Sequence, residues 1–170
     1  IYVDPVNEKD DSSWTGFMGS PVKSIKKAMQ ILSSKPYDIK KAYIYIQGNI
    51  DNQNETIVIP ANRDITIQTT DYKPLANAAT INFNKVPLYT DDAPIPETST
   101  FTIKRDTNFT GPLFEVKNPT STLNFSNITI DGNGANVTAA APIVELSAGN
   151  VKLKDNTTIQ NSNVAKGLNN

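Results

Sequence analysis

Gly111-Pro112-Leu113-Phe114-Glu115-Val116 is answered thirty positions later by Ala141-Pro142-Ile143-Val144-Glu145-Leu146. Two more echoes follow in the same order. Leu123-Asn124-Phe125 is matched by Val151-Lys152-Leu153 at an offset of 28, and Thr129-Ile130 by Thr158-Ile159 at an offset of 29. The unit is therefore strand, turn, strand, turn, strand over roughly 22 to 30 residues, and one supersecondary unit per repeat at such a period is the signature of a solenoid. A weaker, earlier copy is Thr56-Ile57-Val58-Ile59 followed by Ile65-Thr66-Ile67. Stacking such units pairs each strand with its equivalents on either side. Ile, Val, Leu and Phe then face inward, and Thr, Asn, Lys and Glu face outward.

Working outward from the repeat, period-2 alternation marks Tyr43 to Ile46, Thr56 to Ile59, Ile65 to Ile67, Ile81 to Phe83, Phe101 to Ile103, Leu113 to Val116, Leu123 to Phe125, Ile128 to Ile130, Ile143 to Leu146 and Val151 to Leu153 as short strands. Asn, Gly, Pro and Asp separate them. Upstream the period changes: Val22, Ile25, Met29 and Leu32 form one apolar stripe, with Lys23, Lys26 and Lys27 on the other face. Ser20 as N-cap and Pro21 at the first helical position predict a helix over 21–32, suited to cover the first strands. The organisation expected is a strand, loop and capping helix over 1–36, then strands over 37–170 that continue beyond the fragment.

Composition agrees with this reading and excludes much chemistry. The 170 residues contain no Cys and no His, so Ser-His-Asp and Cys-His nucleophiles and thiolate or imidazole metal sites are ruled out. A net charge of −1 without a basic cluster argues against nucleic acid or an anionic membrane surface as partner, and no segment is long and apolar enough to insert into a membrane. The 20 Asn and 18 Thr fit repeated tight corners and exposed strand faces, because Asn tolerates the left-handed conformation and Thr is β-branched.

Ile1-Tyr2-Val3-Asp4-Pro5-Val6-Asn7, Ser20 to Ala28, and Leu123-Asn124-Phe125-Ser126-Asn127-Ile128-Thr129-Ile130-Asp131-Gly132 together make the chain resemble the right-handed parallel β-helix domains of the pectate-lyase-like superfamily, especially those of Gram-positive surface proteins and adhesins. The first two stretches look like that group's opening strand and capping helix, the third like its common coil motif. Glu8-Lys9-Asp10 departs from the Gly that usually follows the opening Asn. The resemblance implies an all-β, right-handed parallel β-helix (a β-solenoid) with an N-terminal capping α-helix. Handedness comes from the resemblance alone. It also implies an extracellular place on a bacterial cell surface. Function is less constrained, since the superfamily includes lyases, hydrolases and non-catalytic adhesins. No motif of the catalytic families is present, so the leading expectation is a non-catalytic adhesin or ligand-binding region for glycans or host surface proteins. The competing readings are the N-terminal part of a polysaccharide lyase or glycoside hydrolase, and a structural spacer.

Segment 69–100 is long for one repeat; either Tyr72 and Tyr89 within it stack on sugar rings, or the segment only covers a side of the strand stack. Asp91-Asp92 has the residue types of an acid and base pair, but its Pro-rich surroundings read as a solvated turn, so it is kept only as a ligand contact. Trp14, with Phe17, is either an aromatic contact or packing for the helix. Lys104-Arg105-Asp106 reads as a surface charge group at a strand end and not as a lyase cluster. Asp131-Gly132-Asn133-Gly134 reads as a corner, because it lacks the carboxylate spacing of a Ca²⁺ loop. No catalytic or metal-ligating residue and no cofactor is assigned; Ca²⁺ finds no supporting motif.

Overall fold

The computed structural model describes residues 1–6, 15–17, 20–34, 39–70, 100–137 and 141–162. They form twelve strands and one helix: β1 (Tyr2–Val3), α1 (Ile25–Ser34), β2 (Lys41–Ile46), β3 (Ile50–Gln53), β4 (Ile57–Val58), β5 (Asp64–Thr69), β6 (Phe101–Arg105), β7 (Phe114–Val116), β8 (Thr122–Ser126), β9 (Ile128–Asp131), β10 (Val144–Leu146), β11 (Asn150–Leu153) and β12 (Thr158–Gln160). The fold is mostly β, and its sheets are parallel. Their orders are β1-β2-β5-β8-β11, β10-β7-β4 and β12-β9-β6-β3. From β2 onward the chain visits the five-stranded, four-stranded and three-stranded sheets in unbroken rotation.

Register shows what the sequence echo encodes. Glu145 pairs with Glu115, Val151 with Leu123 and Ile159 with Ile130, so the repeated residues are hydrogen-bonded neighbours. The earlier copy joins the same ladders through Ile57 beside Phe114 and Ile65 beside Leu123. Side chains of one type therefore form rows across each sheet. The inward rows, including Ile44, Ile65, Ile67, Ile103, Phe114, Leu123, Phe125 and Ile130, are fully buried. Phe114 and Phe125, from different sheets, meet edge to face with centroids 5.0 Å apart, an arrangement favoured by the ring quadrupole.

The corners are asparagine. All five non-glycine residues with positive φ among the described residues are Asn: 62, 127, 133, 156 and 161. Asn127 alone separates β8 from β9, and its N–H and C=O remain in the ladder, donating to Asp155 O at 2.8 Å and accepting from Thr69 N at 3.2 Å.

Three local readings need correction. The helix does not start at Pro21. Val22 stays extended beside Val3, its N–H bonded to Tyr2 O at 3.0 Å and its C=O to Asp4 N at 2.8 Å. The cap is Ser24, whose Oγ accepts the Lys27 N–H at 3.1 Å. From there Ile25, Ala28, Met29 and Leu32 are buried against the sheets. Strand β3 was not anticipated, because only Ile50 and Gln53 of its four residues turn inward. Finally, Arg105 is not a surface charge. It is 1% exposed, with Nε on Gly132 O at 3.1 Å, Nη2 on Ala141 O at 2.9 Å and Pro142 O at 3.3 Å, and Nη1 on Gly111 O. Burial pushes its pKa down from the usual arginine value. Arg63, the chain's other arginine, is also buried and donates to Leu32 O at 3.1 Å and to Ile39 O. Both arginines therefore tie backbone carbonyls together inside the fold.

Candidate ligand-binding face

Strand alternation turns Ile44 and Ile46 inward and leaves Tyr43 and Tyr45 on the outer face of the five-stranded sheet. Neighbouring strands extend this face in rows. Tyr43 is in register with Thr66, Asn124 and Lys152; Tyr2 with Tyr45, Gln68 and Ser126; Lys41 with Asp64, Thr122 and Asn150. Aromatic rings thus occupy the end nearest β1, and amides, hydroxyls and lysines fill the rest.

The three rings are stacked. Tyr2 and Tyr45 lie 4.8 Å apart between centroids at 21°, and Tyr45 and Tyr43 lie 6.1 Å apart at 16°. Tyr43 ends the row and is 47% exposed. Beside it, Lys41, Tyr43, Asp64, Thr66 and Lys154 line a cleft of about 60 Å³, space for about two waters or the edge of one polar ring.

Asp64 is held in place from the neighbouring strand β8. The Asn124 amide donates to Asp64 Oδ1 at 2.6 Å and to Ile65 O at 3.1 Å, while Asn124 itself is 3% exposed. A buried amide that spends both hydrogens on fixed acceptors fixes the carboxylate it touches. One aromatic wall, one oriented carboxylate, one hydroxyl and two ammonium groups make an arrangement that can stack a sugar ring and bond its hydroxyls. A larger groove of about 550 Å³ lies between α1 and β4, lined by Met29, Ile57 and Val58 together with Lys26, Gln30, Ser33, Ser34 and Thr56, and four of its polar groups are already engaged: Lys26 with Glu55, Ser33 with Met29 O, Ser34 with Ile31 O and Thr56 with Pro112 O.

Of the contacts expected from sequence, Trp14, Tyr72, Tyr89, Asp91 and Asp92 lie outside the described residues. Phe17 is 74% exposed and so does not pack under the helix. Asp131-Gly132-Asn133-Gly134 is a corner, with Asn133 at φ 54 and Asp131 Oδ1 accepting the Asn133 N–H at 2.7 Å. Burial raises the Asp131 pKa, but the Asn133 backbone bond, bonds from Gln160 and Asn161 at 3.0 Å each and the charge of Lys104 outweigh it, leaving the carboxyl below its ordinary value. Among the described residues, no three carboxylates gather as a metal site, and no helix is long and apolar enough to cross a membrane. The tyrosine face was the missed site. Its signal was the Tyr43-Ile44-Tyr45-Ile46 alternation, which fixed two faces without saying which one was solvated. No family model, no curated protein and no solved structure matches the chain.

Proposed function

We propose that the chain is a right-handed parallel β-helix acting as a non-catalytic adhesive or ligand-binding region at a bacterial cell surface, with a glycan or a host surface protein as its target. The rotation of successive strands through three parallel sheets supports coiling of the chain, and handedness is carried by the resemblance described above. The observation that carries the binding reading is the solvated Tyr43 ring beside Asp64, itself held by Asn124. Lys41 and Tyr43 are exposed and Asp64 partly so, whereas Thr66 and Asn124, next in the row of Tyr43, are buried, so a target meets this face at its β2 side.

The test is a glycan array and a panel of immobilised extracellular-matrix proteins, probed with the labelled chain and with Tyr43→Ala. Saturable binding to at least one target, weakened tenfold or more by the substitution, is expected. Absence of binding on every surface overturns the reading in favour of a spacer. Binding that Tyr43→Ala leaves unchanged moves the site elsewhere.

A further inference from the structure

Charge is distributed unevenly over the three outer faces. On the five-stranded sheet Lys41 and Lys152 outnumber Asp64, and Lys154, whose N–H continues the β11 ladder to Phe125 O at 2.8 Å, adds a third cation. The other faces lean the opposite way: Glu115 and Glu145 stand on the three-stranded sheet, and Asp51 and Asp131 outnumber Lys104 on the four-stranded one. A chain of net charge −1 thus turns a cationic face outward where its tyrosines stand. Among the described residues Lys41, Lys152 and Lys154 form no salt bridge, whereas Lys26 and Lys117 are paired with Glu55 and Glu115. Lys41 and Lys154 line the cleft beside Tyr43, and Asp64 is the single acid among its lining residues. The cleft therefore carries one positive charge in excess.

We propose that this cleft takes the sulfate ester of a sulfated sugar, whose ring lies on Tyr43. The inference rests on the glycan reading above and names the class of glycan. A space of about 60 Å³ is too small for a whole sugar ring, but room for about two waters is the scale of one tetrahedral oxyanion. The cations there are lysines, compact point charges that serve a tetrahedral anion from any direction. The planar fork that matches a carboxylate belongs to arginine, and Arg63 and Arg105 are both bound to carbonyls inside the fold. With the sulfate between Lys41 and Lys154, Asp64, already oriented by Asn124, is left to accept a hydroxyl of the same sugar. Asp64 also opposes a second anionic group beside the first, which favours a ring bearing one sulfate over a densely charged polymer. The lysines together draw an anionic chain to this face, an attraction that salt weakens.

The probes are immobilised chondroitin sulfate and a sulfated galactan, each beside its chemically desulfated counterpart, with polyglutamate as a dense carboxylate control. Desulfated chondroitin keeps its carboxylates, and desulfated galactan has none. Saturable binding to at least one sulfated polymer is expected, weakened about tenfold or more by desulfation and stronger than binding to polyglutamate. Lys41→Gln and Lys154→Gln are each expected to weaken it about fivefold, and Lys104→Gln, the same loss of charge on the four-stranded sheet, by no more than about twofold. Circular dichroism of the three variants is expected to match the parent, since all three changes replace side chains that are not buried. Equal binding before and after desulfation overturns the sulfate assignment and leaves the glycan reading standing. Equal binding to polyglutamate, or an equal loss from Lys104→Gln, shows charge attraction without a site and overturns the assignment as well. If no sulfated polymer is bound while an unsulfated glycan on the array is, the assignment fails alone; if no glycan is bound anywhere, the glycan reading fails with it.

Discussion

Asn127 and Asn156 hold the same left-handed backbone shape at adjoining corners, with φ of 47° and 52°, at positions 29 residues apart. Asn127 Oδ1 is buried without a hydrogen-bond partner, so its side chain contributes tolerance of positive φ and little else. Asn127→Gly is expected to stay within about 0.5 kcal/mol of the parent in urea unfolding. Asn127→Ala is expected to cost about 1–2 kcal/mol, because alanine has the same Cβ crowding in this conformation without the short polar side chain that lets asparagine tolerate it. Equal losses from the two would show that the amide matters after all.

Arg105 joins four carbonyl oxygens contributed by Gly111, Gly132, Ala141 and Pro142. Among the described residues no carboxylate pairs with it, and its bonds go to carbonyl dipoles. Arg105→Met keeps the volume and strands the acceptors, and is expected to lower stability by about 3 kcal/mol. Arg105→Lys is expected to recover less than half of that, because one ammonium cannot span the same spread of acceptors. Chemical denaturation of the three proteins checks both values.

Asp131 has its pKa held below the ordinary 3.8 by its bonds to Asn133, Gln160 and Asn161, despite the opposing effect of burial. A carboxyl with a depressed folded pKa adds stability above its unfolded value, and that stability disappears as pH falls through the folded value. Asp131→Asn is therefore expected to be less stable than the parent at pH 7 by about 1–2 kcal/mol. The gap should begin to close below about pH 3.8. A gap that persists unchanged to pH 2 would rule out this linkage.

Tyr43 and Asn124 separate contact from support on the outer face. Tyr43→Ala is expected to abolish binding with little change in melting temperature, since the ring is half solvated. Asn124→Ala leaves Tyr43 in place but frees Asp64. It is expected to weaken binding about tenfold and also to cost about 1–2 kcal/mol of stability through the lost buried bonds. Titration of both variants against the target found on the array, with melting curves alongside, distinguishes the two roles.

How much of this was legible depended on whether a residue's partner lay along a repeat or across it. Glu115 with Glu145 and Leu123 with Val151 could be paired from sequence, since parallel register repeats the period of the chain. The Asn corners were legible for the same reason, because their conformational need is local. Ser24 was missed as the cap because Ser20-Pro21 has the stronger local signal, and the ladder from Tyr2 through Val22 to Asp4 overrides it. Strand β3 was missed because Asp51 and Asn52 face solvent. The burial of Arg105 was invisible for a different reason: its acceptors are backbone carbonyls with no residue-type signature. The tyrosine face lay between these cases, its two sides separable by pattern but its solvated side fixed only by the position of β2.

Thr69 Oγ accepts the Phe101 N–H at 2.9 Å, so the last residue of β5 and the first of β6 are joined directly although residues 70–100 intervene in sequence. Where two strand ends are joined in this way, the length of sequence between them can change at little thermodynamic cost, because closing a longer segment costs only logarithmically more. This corner is therefore a natural grafting port. Segments of other lengths can be exchanged there while the ladders on either side keep their register, which separates variation between the two strands from the upkeep of the scaffold.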